Sequence, residues 1–312
     1  MPAYYLDWLM GRIDAGYCLV ANPFDSRRVT RVGLRPEDVD FLVLWTRDPR
    51  PLVRRAMELE DAGLRFYVQV TLVGYPEAVE PRAPPIGDVL DAMRELSSLI
   101  GPRRVVWRYD PIFAADGLGL GFHSSNFTRI AEALAGSVER VVVSLLDEYA
   151  GTAARLEAAL GHRPVFGTPK RRGALPSEGR SQGPVPESQG SLPVPQSVLP
   201  VPYSEILSLI AAAARERDME ILACAEPYDL TGLGIGRRAC VDALLAASIW
   251  GAAAGAAVTG AAGKDTGQRR ACRCAPSIDI GAYGTCPRGC AYCYANRGRG
   301  RLRSVSPGDE AL

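Results

Sequence analysis

The chain has 312 residues, enough for one large hydrophobic core or for two smaller ones joined by a linker. Its 36 Lys and Arg nearly balance its 35 Asp and Glu, so a net charge of +1 provides no overall basic field for nucleic acid or an anionic membrane. A local groove would still suffice for a polynucleotide. We find no secretory signal, and the eight cysteines, five of them after Gly263, do not resemble a secreted disulfide framework. These features predict a cytoplasmic protein with reduced cysteines.

The first elements predicted along the chain are an amphipathic helix over residues 1–16 and a hairpin formed by 17–23 and 27–34. Strand-like runs then alternate with helix-like runs. The predicted strands are 40–46, 65–73, 104–110, 140–147, 220–226 and 277–283, and the predicted helices are 49–62, 86–100, 124–134, 151–160 and 203–218. Repeated units of this kind predict an α/β fold with a parallel sheet, as a (β/α) barrel or a partial TIM-like barrel.

One segment interrupts this alternation. Residues 167–200 are dense in Pro, Gly and Ser, and they contain too few large apolar residues to offset the entropy of ordering. We therefore predict a disordered insertion there, with the first part of the barrel in 1–166, its remainder in 201–271 and a cysteine-rich segment in 272–300. The longest apolar stretch, residues 239–262, is rich in Ala and Gly and too weakly hydrophobic to predict a membrane span.

The feature richest in chemistry is a C-x₃-C-x₂-C run formed by Cys286, Cys290 and Cys293. Three thiolates on one loop can hold a 4Fe–4S cluster and leave one iron open, which is where S-adenosylmethionine (SAM) binds in radical SAM enzymes. Gly289 would let the backbone approach the cluster, and Tyr292 would shield its edge or line the SAM site. A zinc knuckle and a redox pair are the alternatives, although zinc sites more usually show paired C-x₂-C units or histidines.

The remaining cysteines suggest a second site. Cys272 and Cys274 form a C-x-C pair, Cys224 lies near a predicted strand end, and Cys240 opens a predicted Ala-rich helix. Four such residues match the ligand count of an auxiliary cluster or of a Cys₄ zinc site, provided that they converge in the fold. Cys18 is interpreted as a small buried hydrophobe.

Polar side chains stand at the ends of the predicted strands, where parallel barrels build their active sites. Capping and turn formation are the alternative role for each of them. We assign Arg108, Asp110 and Glu226 to catalysis and Gln69, Thr71 and Tyr292 to cofactor binding. The other polar or aromatic strand-end residues are Trp45, Thr46, Arg47, Asp48, Ser144 and Asp147. His123 and His162 are expected in surface or capping roles, and no Walker A or nucleophile-elbow motif is present.

Several segments together resemble the bacterial family called domain of unknown function 1848 (DUF1848). The matching segments are 2–5 (PAYY), 22–24 (NPF), 45–49 (WTRDP), 107–111 (WRYDP), 224–226 (CAE) and the tail 272–296. The C-terminal cysteine cluster of that family is similar to that of radical SAM enzymes. The resemblance implies a 4Fe–4S cluster on Cys286, Cys290 and Cys293, and it extends to the four cysteines of the second set.

The order of segments differs from that of ordinary radical SAM enzymes, in which the cysteine loop follows the first strand. Here it follows the last predicted strand, 277–283, so a closed barrel would place the loop equivalently through a circularly permuted arrangement. Family members also begin with a short strand that precedes the PAYY segment, and Met1 falls where that strand would end. The start is therefore expected to be miscalled, or else the barrel lacks one strand.

Three functions are compatible with the sequence. The first is a radical SAM-like enzyme that generates a 5′-deoxyadenosyl radical and receives electrons from a donor such as flavodoxin or ferredoxin. The second is a non-catalytic iron–sulfur or zinc protein with a structural or redox-sensing role. The third is a metal-independent or zinc hydrolase in which the cysteine tail is structural. The substrate is not readable from the sequence.

Overall fold

The protein is described by a computed structural model that covers residues 2–22, 25, 27–167, 199–251, 271–295 and 302–312. Helix α1 (Pro2–Ala15) comes first, followed by an antiparallel hairpin of β1 (Tyr17–Ala21) and β2 (Val29–Gly33) in which Cys18 pairs with Val32. The predicted N-terminal helix and hairpin are therefore confirmed.

Six strands form one parallel sheet in the order β3-β4-β5-β6-β7-β8, which is also their order along the chain. The strands are β3 (Leu42–Thr46), β4 (Phe66–Thr71), β5 (Val105–Ile112), β6 (Arg140–Leu145), β7 (Glu220–Cys224) and β8 (Gly236–Arg238). The α/β class and the parallel sheet are confirmed. Within the described residues β3 and β8 do not pair with each other, so the sheet is open and the closed barrel is not observed.

The helices between the strands also follow the predictions closely. They are α2 (Arg50–Asp61), α3 (Ile86–Ile100), α4 (Leu120–Leu134), α5 (Thr152–Leu160) and α6 (Val201–Arg215), with a 3₁₀ turn at Pro102–Arg104 before β5. On α3, apolar residues recur at helical spacing and are buried. Because the strands are added to the sheet in chain order through right-handed crossovers, α2 to α6 cover one face of the sheet, and their buried residues belong to one core.

The two faces of the sheet differ in character. Alternate residues such as Val68, Trp107 and Val143 belong to the large core beneath the helices. The opposite face carries a smaller apolar cluster that includes Tyr67 and Val106, and residues 239–250 and 272–275 cover it. Toward the carboxyl ends of the strands this second face becomes polar.

The prediction of a last strand over residues 277–283 is wrong. These residues form no strand and pair with no strand of the sheet, and Ile278 is 60% exposed. The Asp279 side chain accepts a hydrogen bond from the backbone N–H of Gly281 at 2.8 Å, a local bond that competes with extended pairing. The circularly permuted arrangement depended on this strand, so it is excluded in the proposed form.

Two short elements near the end of the sheet, a 3₁₀ turn and strand β8, were not predicted. A 3₁₀ turn (Thr231–Leu233) leads into β8, whose three residues include two arginines and carry no apolar pattern. Helix α7 (Ala243–Trp250) follows, within the Ala-rich stretch that was expected to be helical. Asp242 is its N-cap and accepts hydrogen bonds from the backbone N–H groups of Leu244 and Leu245. None of the helices in the described ranges is long and apolar enough to cross a membrane.

The C-terminal residues return to the N-terminal helix. The Trp8 indole N–H donates to the backbone oxygen of Asp309 at 2.7 Å, and the N–H of Leu19 donates to the oxygen of Glu310 at 2.8 Å. Residues 302–312 therefore pack on α1 and β1. Most of the predicted insertion, 168–198, lies outside the described residues, as does 252–270 of the Ala-rich stretch.

Candidate functional site

The three-cysteine loop lies at the carboxyl edge of the parallel sheet and is held there through its backbone. The N–H of Ala291 donates to the oxygen of Val79, in the connection after β4, at 2.9 Å. Arg155 on α5 donates from Nε to the oxygen of Ala291 at 3.1 Å and from Nη2 to that of Cys293 at 2.7 Å. The loop is thus anchored to two separate elements near the carboxyl ends of the strands.

The middle of the loop makes a tight turn that depends on two residues. Arg288 is buried, and it reaches Asp48, just after β3, with an Nη2–Oδ2 distance of 3.2 Å while donating from Nη1 to the oxygen of Arg82 at 2.5 Å. Gly289 has a φ of 72°, in the left-handed region where glycine carries no steric penalty. This turn brings Cys286 and Cys290 to the same end of the sheet.

A buried charged group lies beneath the loop. The side chain of Glu80 is fully buried and pairs with Arg47 at the end of β3, with 2.6 Å between Nη2 and Oε2. The Tyr292 hydroxyl donates to Glu80 Oε1 at 2.5 Å and accepts a hydrogen bond from Arg47. Burial opposes the charge of Arg47, but Tyr292 and Glu80 outweigh it and raise the pKa of Arg47 above its ordinary value. Through Tyr292, these contacts with Glu80 and Arg47 hold the three-cysteine loop in one position.

The three thiols of the loop differ in exposure. Cys290 is buried, Cys293 is half-buried and Cys286 is exposed, and none of the eight cysteines forms a disulfide. Burial raises the pKa of Cys290 to about 11, with Arg47 opposing and Glu80, Cys293 and Cys286 adding to the rise. In the parts of the chain that the structure describes, no three His, Cys, Asp or Glu side chains are already arranged to hold a single metal ion.

A half-open cleft of about 340 Å³ lies beside this loop, at the carboxyl ends of β3 and β4. Arg47, Glu80 and Thr71 line it, so the ion pair of Arg47 and Glu80 forms part of the cleft wall. Its other wall is formed by the connection from Leu72 to Val89. The cleft is large enough for part of a small-molecule ligand, and Thr71, which the sequence assigned to cofactor binding, lines it.

Three of the predicted polar residues meet in one buried network on the face of the sheet opposite the helices. Arg108 donates from Nη1 to Gln69 Oε1 at 2.7 Å and from Nε to Asp110 Oδ2 at 3.1 Å. The Ser144 hydroxyl donates to the other carboxylate oxygen of Asp110. Glu226 Oε1 accepts a hydrogen bond from the backbone N–H of Leu145, in the neighbouring strand β6, at 2.8 Å.

The second set of cysteines converges at the end of this network. Cys224, Cys240, Cys272 and Cys274 belong to one cluster on this face of the sheet. Arg108 Nη1 donates to Cys240 Sγ at 2.9 Å, and the N–H of Cys274 donates to Cys272 Sγ at 3.3 Å. The neighbouring thiols of Cys224 and Cys274, together with Arg108, hold the pKa of Cys240 well below its ordinary value.

His123 lies in the core, contrary to the expected surface or capping role. It is fully buried, and its ring nitrogens contact the Tyr109 hydroxyl and the backbone oxygen of Phe113, each at 2.9 Å. Burial lowers the pKa of His123 to about 4. His162 is only half-buried and accepts a hydrogen bond from the N–H of Asp116. Both histidines therefore have structural roles.

Two residues of the site were missed in the sequence. Glu80 lies in the irregular connection after β4, and Arg155 lies on α5, whose sequence otherwise reads as an ordinary amphipathic helix. Neither position belongs to a strand end or to a motif. Only the tertiary contacts with Arg47, Tyr292 and the loop backbone identify them.

Comparison with known protein families identifies the family to which the chain belongs. The family model described as "Domain of unknown function (DUF1848)" matches residues 1–295. The chain belongs to the DUF1848 family. The match includes the hairpin, the whole parallel sheet and the three-cysteine loop, so the site of this DUF1848 protein lies within the family domain. No curated protein sequence and no solved structure matches it.

Proposed function

We propose that this DUF1848 protein is a radical SAM-like iron–sulfur enzyme in which Cys286, Cys290 and Cys293 hold a 4Fe–4S cluster and one iron stays open to SAM. The observation that carries the proposal is the position of the three-cysteine loop. It is anchored at the carboxyl edge of a parallel sheet beside a cleft of about 340 Å³. Folds with parallel sheets build their ligand sites at that edge.

The donor set fits such a cluster. Three thiols on one short loop supply three of the four iron ligands, which leaves the fourth iron for a small molecule. A four-iron cluster occupies the space between its ligands, so its cysteine sulfurs are spaced more widely than those around one ion. Loop cysteines that do not surround a single ion are compatible with this requirement. The buried Cys290 and exposed Cys286 place one side of the loop toward the protein and the other toward solvent.

The residues around the loop would position the ligand and exclude water. When bound, the cluster would supply the electron that cleaves the sulfonium of SAM. Thr71 and Arg47 line the cleft, where a hydroxyl and a guanidinium can bind the polar groups of SAM. Tyr292 lies beneath the loop with its ring 6.0 Å from that of Tyr75, and this aromatic contact keeps water from the buried side of the loop.

On the substrate side we assign Arg108, Asp110 and Glu226, which lie at the carboxyl ends of β5 and β7. Gln69 and Ser144 fix Arg108 and Asp110 through hydrogen bonds, so both keep one orientation in a buried setting. Preorganised charged groups of this kind interact strongly with a polar substrate because water is excluded around them.

The test is SAM cleavage by the full chain after anaerobic reconstitution with iron and sulfide. With a chemical reductant, or with flavodoxin or ferredoxin as donor, we expect 5′-deoxyadenosine from the wild type. Cys290→Ser is expected to produce none, whereas Cys18→Ser, at a buried cysteine of the hydrophobic core, is the matched control and is expected to retain activity. Iron bound without cleavage would favour a non-catalytic iron–sulfur protein, and zinc alone on the loop would contradict the proposal.

A further inference from the structure

The four cysteines outside the three-cysteine loop come from separate parts of the chain and meet at one place. Cys224 ends β7, Cys240 lies between β8 and α7, and Cys272 and Cys274 precede the three-cysteine loop. Cys224, Cys272 and Cys274 are each at most 6% exposed. Four buried or half-buried thiols from three chain segments are more than packing requires, since an apolar side chain would fill the same volume.

Hydrogen-bond donors point at these sulfurs. The backbone N–H groups of Cys240 and Val241 donate to Cys274 Sγ at 3.2 and 3.4 Å, and Arg108 donates to Cys240 Sγ at 2.9 Å. Neutral thiols are weak acceptors, whereas donors of this kind stabilise the thiolates that bind a metal. The positive charge of Arg108 also offsets part of the negative charge that several thiolates would bring into a buried region.

From these contacts we infer a second metal site, in which Cys224, Cys240, Cys272 and Cys274 bind one zinc ion in a closed tetrathiolate arrangement. Zinc prefers four soft ligands in tetrahedral geometry when its role is structural. Cys224, Cys240, Cys272 and Cys274 share one cluster on the face of the sheet opposite the helices, and four thiolates complete the ligand set of a single zinc ion. Coordination requires these side chains to rotate toward a common centre, because they do not yet surround one.

Such a site would have a structural consequence. It would join the end of β7 and the segment after β8 to residues 272–274, the chain that leads into the three-cysteine loop. At present the N–H of Ala275 bonds to the oxygen of Val241 at 3.1 Å, and the contacts of Cys274 with Cys240 and Val241 add to it. Zinc would fix this segment over the face of the sheet opposite the helices. The inference stands independently of SAM chemistry.

The test is metal content of the full chain, purified from zinc-supplemented cells without chelator. We expect one zinc per chain in the wild type, in Cys18→Ser and in the triple variant Cys286→Ser/Cys290→Ser/Cys293→Ser, and loss of that zinc in Cys240→Ser. The triple variant removes the loop ligands, so failure of the loop assignment does not affect this result. Equal zinc in Cys240→Ser and the wild type, or iron in place of zinc in the triple variant, would overturn the inference.

A second measurement covers the case in which Cys240→Ser does not fold. The triple variant is depleted of zinc and loaded with Co²⁺ alone. We expect the absorption spectrum of a tetrahedral cobalt site with thiolate ligands, and we expect one equivalent of Zn²⁺ to abolish it. Absence of thiolate-to-cobalt absorption in this variant would show that the four cysteines do not bind a metal together.

Discussion

At the scale of single residues, Glu80, Arg47 and Tyr292 define the site most sharply. A fully buried carboxylate is costly unless it is paired; Glu80 forms an ion pair with Arg47 and accepts a hydrogen bond from the Tyr292 hydroxyl. Arg47 directly follows β3, Glu80 lies in the connection after β4, and Tyr292 belongs to the three-cysteine loop. The contacts among Arg47, Glu80 and Tyr292 therefore hold the loop in position relative to the sheet.

Replacement of the buried carboxylate tests this role. Glu80→Gln keeps the shape of the side chain and leaves the buried Arg47 without its counter-charge, so we expect a loss of about 3 kcal/mol in the free energy of unfolding. The matched control is Glu58→Gln, which removes an exposed partner of Arg55 and should cost less than about 1 kcal/mol. Urea unfolding followed by circular dichroism measures both. Equal losses in the two variants would show that Glu80 is not an essential buried partner.

The buried His123 predicts a pH dependence of stability. Its pKa is about 4 in the folded chain and close to 6.5 when unfolded, so the unfolded chain binds the proton first as the pH falls. Stability is complete above pH 6.5 and decreases toward pH 4. Between pH 7 and pH 5 the wild type should lose about 2 kcal/mol through this group.

Two substitutions isolate that contribution. In His123→Gln the decrease between pH 7 and pH 5 should be smaller by that amount, whereas His162→Gln, at a half-buried histidine, should behave as the wild type does. Urea midpoints at the two pH values provide the comparison. The same pH dependence in His123→Gln as in the wild type would rule out the buried neutral imidazole.

At the scale of elements, the three-cysteine loop is irregular chain that takes its conformation from its neighbours. The connection after β4 and helix α5 bind its backbone, and Gly289 supplies the one left-handed residue of its turn. Short metal-binding loops need such outside support, because ligand positions are set by the residues that hold the loop.

The turn at Gly289 can be tested directly. Gly289→Ala forces a side chain into the left-handed region at a cost of about 1 to 2 kcal/mol, so we expect lower stability and a lower iron content after reconstitution. Gly121→Ala on α4 is the control: it has open space around it and should be neutral or stabilising by up to about 1 kcal/mol. Iron content unchanged in Gly289→Ala would contradict the dependence of the loop on this turn.

At the scale of the whole molecule, the sequence predicts the elements well and their assembly less well. Dense apolar runs identify β3 to β7, and helix α3 is predicted residue for residue. Residues 277–283 alternate as a strand does, but the side-chain bond of Asp279 favours a turn and no sheet edge receives them. Strand β8 is too short and too polar to be recognised. Whether the barrel closes depends on both segments, so it could not be predicted from the hydrophobic pattern of the sequence.

In the candidate site, too, local features could be predicted from the sequence, whereas contacts between distant segments could not. Strand-end polarity points to Thr71, Arg108 and Asp110 because polar residues stand out in apolar strands; Arg108 is buried, and Thr71 and Asp110 are half-buried. Spacing identifies the three-cysteine loop. Glu80 and Arg155 act through contacts between segments distant in sequence, which no local pattern records.

The central claim is that the three-cysteine loop holds a cluster with one iron open to SAM. Electron paramagnetic resonance of the reduced, reconstituted full chain, recorded with and without SAM, tests it most directly. Because SAM would bind the open iron itself, we predict that its addition changes the spectrum of the reduced cluster, and that this cluster signal is missing from the triple variant Cys286→Ser/Cys290→Ser/Cys293→Ser. A cluster spectrum identical with and without SAM, or one that persists in the triple variant, would contradict the account.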